Sequence, residues 1–447
     1  MMCQKSAGTA VKWCGRFAAM ALSVAAAVVT VEVHGVTLQL DQVKQRYPWN
    51  GLVDIDYTIS FNPGETLGPD DNLEVLVIDK SAKLAVTNRA VRFLQAPLPL
   101  TAGKHRITWD AHFDGVKSRI ADAEVHVVIA RHPAAYMVID VSPGSGSNAI
   151  YPVDFLNEEP EGGFNAEKYE SIYKGDKIVL KRIHAGSFMA GSPEGGEVGR
   201  VVARETQHAV AFSKPFYIGI FEITQKQYNY VMGSNPSTYK ENVYRPVETV
   251  SYNTVRGGDW PGSKLPGSST FMGLLLSRCR AKDKDGHYTE PVTGFDLPTE
   301  FQWEYACRAG TTGGFSTTNE YDNLDTNSQA AQMDKLSRYA GNQNDGKGGG
   351  FKQHVIVGSY DPNPWGLYDM HGNVMEWVRD NMYLNAADLK QYVDPPGSSV
   401  KYANNARMKR GGSWSYAVTP CRAADRGSNK PDGAYDNGGF RLCREVP

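Results

Sequence analysis

The side chains best suited to chemistry gather near the C-terminus, in two dense stretches. One runs Asn363-Pro-Trp-Gly-Leu-Tyr-Asp-Met-His-Gly-Asn-Val-Met-Glu-Trp377. The other runs Arg410-Gly-Gly-Ser-Trp-Ser-Tyr416, then Cys421-Arg-Ala-Ala-Asp-Arg426, and closes on Gly438-Gly-Phe-Arg-Leu-Cys443. Asp369 and Glu376 are carboxylates on either side of a turn at Gly372, and the main-chain carbonyls between them can face inward. Such a set of hard oxygens suits Ca2+. The alternative is a plain turn in which Glu376 pairs with an arginine. Arg426 and Arg441 fit either a buried network with these acids or an anionic ligand. Trp365, Trp414, Tyr416 and Tyr435 can stack on sugars or peptides, although Trp365 and Trp414 are better suited to filling a core.

Other chemistries find no support. The chain has no G-x-x-x-x-G-K-[ST] loop and no G-x-S-x-G elbow, and Gly144-Ser-Gly146 lacks the third glycine of a dinucleotide fingerprint. Glu300 and Glu304 share one helix face, where acids are ordinarily solvated or ion-paired. The net charge is −2 without a basic run, which argues against nucleic acid as a partner.

At 447 residues the chain exceeds one ordinary core. Lys5, Lys12 and Arg16 precede an apolar run from Phe17 to Val31, too short for a membrane span. We therefore expect residues 1–35 to be a signal peptide and the protein to be exported, to the periplasm, cell surface or medium, with no stable membrane span after cleavage. Cys279, Cys307, Cys421 and Cys443 then remain, and an even count in an oxidising compartment favours disulfides.

Residues 36–132 read as all-β. Val53-Asp-Ile-Asp-Tyr-Thr-Ile-Ser-Phe61 alternates apolar and polar, and Leu73–Ile78, His105–Trp109 and Ala123–Ala130 supply further strands. Short strands over such a span predict an immunoglobulin-like β-sandwich. Its histidines, His105, His112 and His126, read as strand-face residues rather than ligands. Residues 133–175, with Ser142-Pro-Gly-Ser-Gly-Ser147 and the acidic, glycine-rich Asn157–Gly163, read as a linker, although both stretches equally suit surface loops of a neighbouring domain. A second domain occupies 176–447. Within it Leu297–Gly310 reads as a helix, with Thr299 as N-cap, Gln302 at the capping-box position and Gly310 as its stop.

The second domain resembles the formylglycine-generating enzyme, or sulfatase-modifying factor, family. Gly186-Ser-Phe-Met-Ala-Gly-Ser192, the Glu-Ile-Thr strand ending at Thr224, Leu297-Pro-Thr-Glu-Phe-Gln-Trp-Glu-Tyr-Ala306 and the two C-terminal stretches carry the resemblance, in register. It implies an irregular α+β domain related to C-type lectin folds, so that the fold class expected for the chain is α+β. It also implies calcium held by the Asp369 and Glu376 side chains and the Gly372 and Val374 carbonyls. It further implies disulfides pairing Cys307 with Cys421 and Cys279 with Cys443.

The resemblance also exposes a gap. The family's enzymes oxidise a protein cysteine to formylglycine with O2, using two cysteines five residues apart that hold copper. The first of these positions is Tyr416 here. Counting forward from Gly-Gly-Ser, Cys421 falls on the second; counting back from Arg426, it falls near a structural cysteine instead. On either count one thiol stands where two are needed. The expected function is therefore a non-catalytic relative that binds a protein, peptide or glycan ligand through Trp414, Tyr416, Arg426 and Arg441. The alternative is a copper- and O2-dependent oxidoreductase using Cys421 and Tyr416.

Overall fold

A computed structural model describes residues 134–445 apart from 259, 261–263, 284, 318–325, 344–351, 383–392 and 397–404. Before these it describes 30–33, 36–46, 48, 50–64, 72–79, 84–85, 99–111, 123–130 and a few single positions. The expected signal peptide falls largely on residues 1–29, outside the described residues. His112 also lies outside them.

The N-terminal part is built from two antiparallel sheets. One orders Thr30–Val33, Val36–Gln45, Leu52–Phe61 and Gly103–Asp110; the other orders Leu84–Ala85, Asn72–Asp79 and Ala123–Ala130. Alternation does the work expected of it. Val53, Ile55, Tyr57 and Ile59 point into one apolar cluster that also takes Leu73, Val77, Ile107, Trp109, Val125 and Val127 from both sheets. Asp54 points to the opposite face of the strand, where the Arg46 guanidinium and the Thr108 hydroxyl donate to it.

The C-terminal part is organised on an eight-stranded sheet. Its order is Tyr288–Pro291, Cys279–Lys282, Tyr151–Leu156, Tyr136–Asp140, Lys177–Ile183, Phe216–Gly219, Cys443–Glu445 and Phe295–Asp296. The two edge strands are joined by residues 292–294 alone, so the sheet curls back toward itself. Tyr136–Asp140 and Tyr151–Leu156 lie within the stretch read as a linker. They pair with each other and the first pairs with Lys177–Ile183, so Ser142–Ser147 lies in the loop between adjacent strands. Ser142–Ser147 is thus a loop of the neighbouring domain rather than part of a linker, and the two short apolar strands flanking it are what composition did not reveal.

Helix Glu300–Arg308 begins at the expected cap. The Thr299 hydroxyl accepts the Gln302 N–H at 3.1 Å, and the Gln302 side-chain carbonyl accepts the Thr299 N–H at 2.8 Å. It ends at Ala309, in the left-handed conformation, just before Gly310. Every residue of the helix is buried. It can be so because its charges are paired: Glu300 with Arg426, and Glu304 with Arg308 and Arg410.

The expected disulfides do not form. All four cysteines described are free and buried. Cys279 and Cys443 lie on strands separated by four others in the large sheet, and they pack in different apolar clusters. Cys307 and Cys421 both contact His371. Its Nε2 is 3.5 Å from the Cys307 Sγ, and its Nδ1 is 2.9 Å from the Cys421 carbonyl oxygen. The Cys421 thiol instead donates to the Ala417 carbonyl at 3.5 Å.

Candidate functional site

The loop from Asn363 to Val374 is fixed by its own side chains. The Asn363 amide donates to the carbonyls of Ala306 and Cys307, and its oxygen accepts the N–H groups of Trp365 and Leu367. Asp369 and Asn373 take positive φ, a region that Asp and Asn tolerate better than most residues. Gly372 is required for space: a Cβ there would lie 2.3 Å from the Arg338 carbonyl oxygen.

Asp369 is buried. Its carboxylate accepts the Gly358 N–H at 2.6 Å and the Ser337 hydroxyl at 3.3 Å. Burial pushes its pKa up to about 6. Glu376 is also buried, and Arg441 clasps it through Nε and Nη2 at 2.7–2.9 Å while the Trp303 indole donates to it at 2.8 Å. Both readings of this loop thus meet in one place: Glu376 pairs with an arginine, and Asp369 remains without an ion pair in the described structure.

Glu222, inside the apolar strand-like run Phe216–Thr224, is the carboxylate that sequence reasoning missed. It accepts the Val374 N–H at 3.0 Å and the Asn373 amide at 2.6 Å. Burial first, then the charges of Asp369 and Glu376, hold its carboxyl well above the usual range. An acid amid Ile220, Phe221 and Ile223 was the available signal. Three buried carboxylates thus face the single guanidinium of Arg441, with Lys174 further off. Their oxygens and charge excess fit a hard cation. Among the described residues, however, no group of three or more His, Cys, Asp or Glu side chains is disposed as a metal cage, so such a cation would also depend on backbone carbonyls.

Arg426 and Arg441 face inward. Arg426 holds Glu300 and the Arg204 carbonyl; Arg441 holds Glu376 and the carbonyls of Gly219 and Tyr368. Neither is presented to a ligand from outside.

Around Tyr416 the donor set does not fit copper. Cys421 is wholly buried, and burial pushes its thiol up to about 12. Tyr416 is half-buried against Phe315, Tyr339 and Val418, and burial raises its phenol. One inert thiol and a phenol do not make a soft dithiolate site. Beside them lies an aromatic shelf. Trp414 packs edge-on to Tyr239, with centroids 5.8 Å apart, and its indole N–H donates to the Asp436 carbonyl at 3.2 Å. Ser415, Ala417 and Tyr435 are exposed around it. Trp414 itself is buried, so the rings that reach solvent here are Tyr435 and, in part, Tyr239 and Tyr416; Trp365 is half-buried against Tyr305 at the edge of the main core.

The described residues contain no helix long and apolar enough to cross a membrane.

The C-terminal part has known relatives. The family model described as the sulfatase-modifying factor enzyme 1-like domain matches residues 173–446. The chain is similar to mouse formylglycine-generating enzyme, 29% identical over 43% of this chain and 50% of that protein. It is also similar to the bovine inactive C-alpha-formylglycine-generating enzyme 2, 26% identical over 62% of this chain and 91% of that one. Against the mouse enzyme, then, it spans about half the relative's length. Among solved structures, PvdO from Pseudomonas aeruginosa aligns with a TM-score of 0.45 at 25% identity, over 60% of this chain and 94% of that one. Treponema denticola variable protein 1 aligns with a TM-score of 0.46 at 24% identity, over 60% and 96%. The extent of the family match places this chain in the sulfatase-modifying factor, or formylglycine-generating enzyme, family.

Proposed function

We propose that this protein is a non-catalytic member of its family that binds a peptide, protein or glycan through the aromatic shelf at Trp414 and Tyr416. The observation that carries the reading is the replacement of the thiol pair by Tyr416 and a sealed Cys421. The shelf supplies what binding needs: the exposed ring of Tyr435 and the half-buried rings of Tyr239 and Tyr416, with the buried Trp414 packed edge-on to Tyr239 as the floor. Export fits the leader-like N-terminus, and we assign residues 36–132 to an immunoglobulin-like module and the remainder to the family domain. Calcium is proposed as a structural ion at the loop, drawing on Asp369, Glu376 and the carbonyls of Gly372 and Val374, with Glu222 as a further carboxylate bonded to the same loop. It would neutralise buried acids and stiffen the turn beneath Trp414, whose N–H donates to the Asn373 carbonyl.

The test is binding of displayed random peptides and of an immobilised glycan panel to the full chain and to Trp414→Ala. Ligands retained by the wild type and lost by the variant support the reading. Ligands that bind both equally place recognition elsewhere.

A further inference from the structure

The shelf has one charged group whose surroundings define a ligand class. The Asp436 carboxylate is half-buried and accepts the neutral hydroxyl of Tyr239 at 3.3 Å. Among the described residues no lysine, arginine or histidine forms an ion pair with it. The Tyr239 ring stands edge-on to Trp414. The neighbouring Tyr435 is exposed.

Two adjacent residues hold this arrangement from behind. The buried Glu248 carboxylate accepts the N–H groups of Thr238 and Tyr239 at 2.6 and 2.9 Å. Thr249 donates its N–H to the Tyr435 carbonyl at 2.9 Å while adopting φ 58°. A β-branched residue in the left-handed region is strained, and such strain persists where the surrounding structure over-determines it. Glu248 thus fixes the Tyr239 wall and Thr249 the Tyr435–Asp436 wall. Both walls are set before any ligand arrives.

A half-buried carboxylate without an ion-pair partner among the described residues, beside the hydroxyl of Tyr239 and next to the exposed Tyr435, favours a cation. Resting on the binding function proposed above, we propose that Asp436, with Tyr239 and Tyr435 and with Trp414 buried behind Tyr239, is the subsite that receives the lysine or arginine side chain of a bound peptide.

The test uses the full chain and four labelled peptides, Ac-Gly-Tyr-Xaa-Tyr-Gly-NH2 with arginine, lysine, glutamine or glutamate at Xaa, read by fluorescence polarisation at physiological salt. The arginine and lysine peptides should bind about tenfold more tightly than the glutamine peptide. In Asp436→Asn that preference should vanish while the glutamine peptide binds as before. Equal binding of the arginine and glutamine peptides to the wild type overturns the cation subsite and leaves the shelf as a neutral peptide site. A preference that survives in Asp436→Asn overturns it too. Failure of all four to bind wild type, with Trp414-dependent glycan binding intact, overturns the peptide proposal and leaves a sugar-binding shelf.

Discussion

Arg441 shows how residue-scale chemistry was reassigned in this protein. A guanidinium with every nitrogen occupied by Glu376, Gly219 and Tyr368 is part of the frame. Removing one partner of a buried pair leaves the other charged and desolvated, so Glu376→Gln should destabilise the fold by about 3–5 kcal/mol in urea unfolding. A loss below about 1 kcal/mol would show that the pair is dispensable. Asp425 offers a pH test. Burial pushes its carboxyl up to about 6 from 3.8, against the opposing pull of Arg422. Its folded form therefore binds a proton that its unfolded form releases between these values. Stability contributed by that proton is present at about pH 4 and is lost as pH rises through about 6. Wild type should accordingly lose stability relative to Asp425→Asn over that interval; a constant difference between the two would contradict the assignment.

At the scale of elements, sequence reading succeeded where a local rule decides. Thr299 and Gln302 make the capping box because spacing alone sets that geometry. Thr299→Ala should therefore cost about 1 kcal/mol, measured by thermal or chemical unfolding, and no change would mean that packing alone holds the helix start. The strand alternation at Val53–Phe61 was equally legible, since burying one face of a strand writes itself into the sequence with a period of two. What failed needed distant information. The strands Tyr136–Asp140 and Tyr151–Leu156 earn their places from neighbours far along the chain, including a parallel pairing with Cys279–Lys282. Glu222 was invisible as a member of the acid cluster because its partners, Asn373 and Val374, lie about 150 residues away. The disulfide pairings came from resemblance, and the packing of His371 against Cys307 and Cys421 overturned one of them.

Over the whole molecule, the two parts keep separate main cores. One cluster takes no residue beyond Ile129, and the two largest clusters of the family domain take none before Tyr136. Among the described residues the parts meet at an ion pair of Arg182 with Glu74, at a patch of Leu76, Ile78 and Ala211 with Val393 packed against it, and where Leu84–Ala85 lies against Gly186–Ala190 and His208–Phe212. A fragment of residues 134–447 should fold cooperatively, as judged by circular dichroism and a single unfolding transition. A fragment starting at 176 should not, because the large sheet loses two interior strands. Equal cooperativity of both fragments would contradict this division.

The most direct test of the central claim is chemical. The purified full chain, loaded with Cu(I) and calcium and supplied with O2, is incubated with a peptide bearing Cys-x-Pro-x-Arg, and the product is read by mass spectrometry. With Tyr416 beside a sealed Cys421, the peptide cysteine should remain unchanged. Its conversion to the aldehyde would contradict the assignment of this protein as a non-catalytic relative.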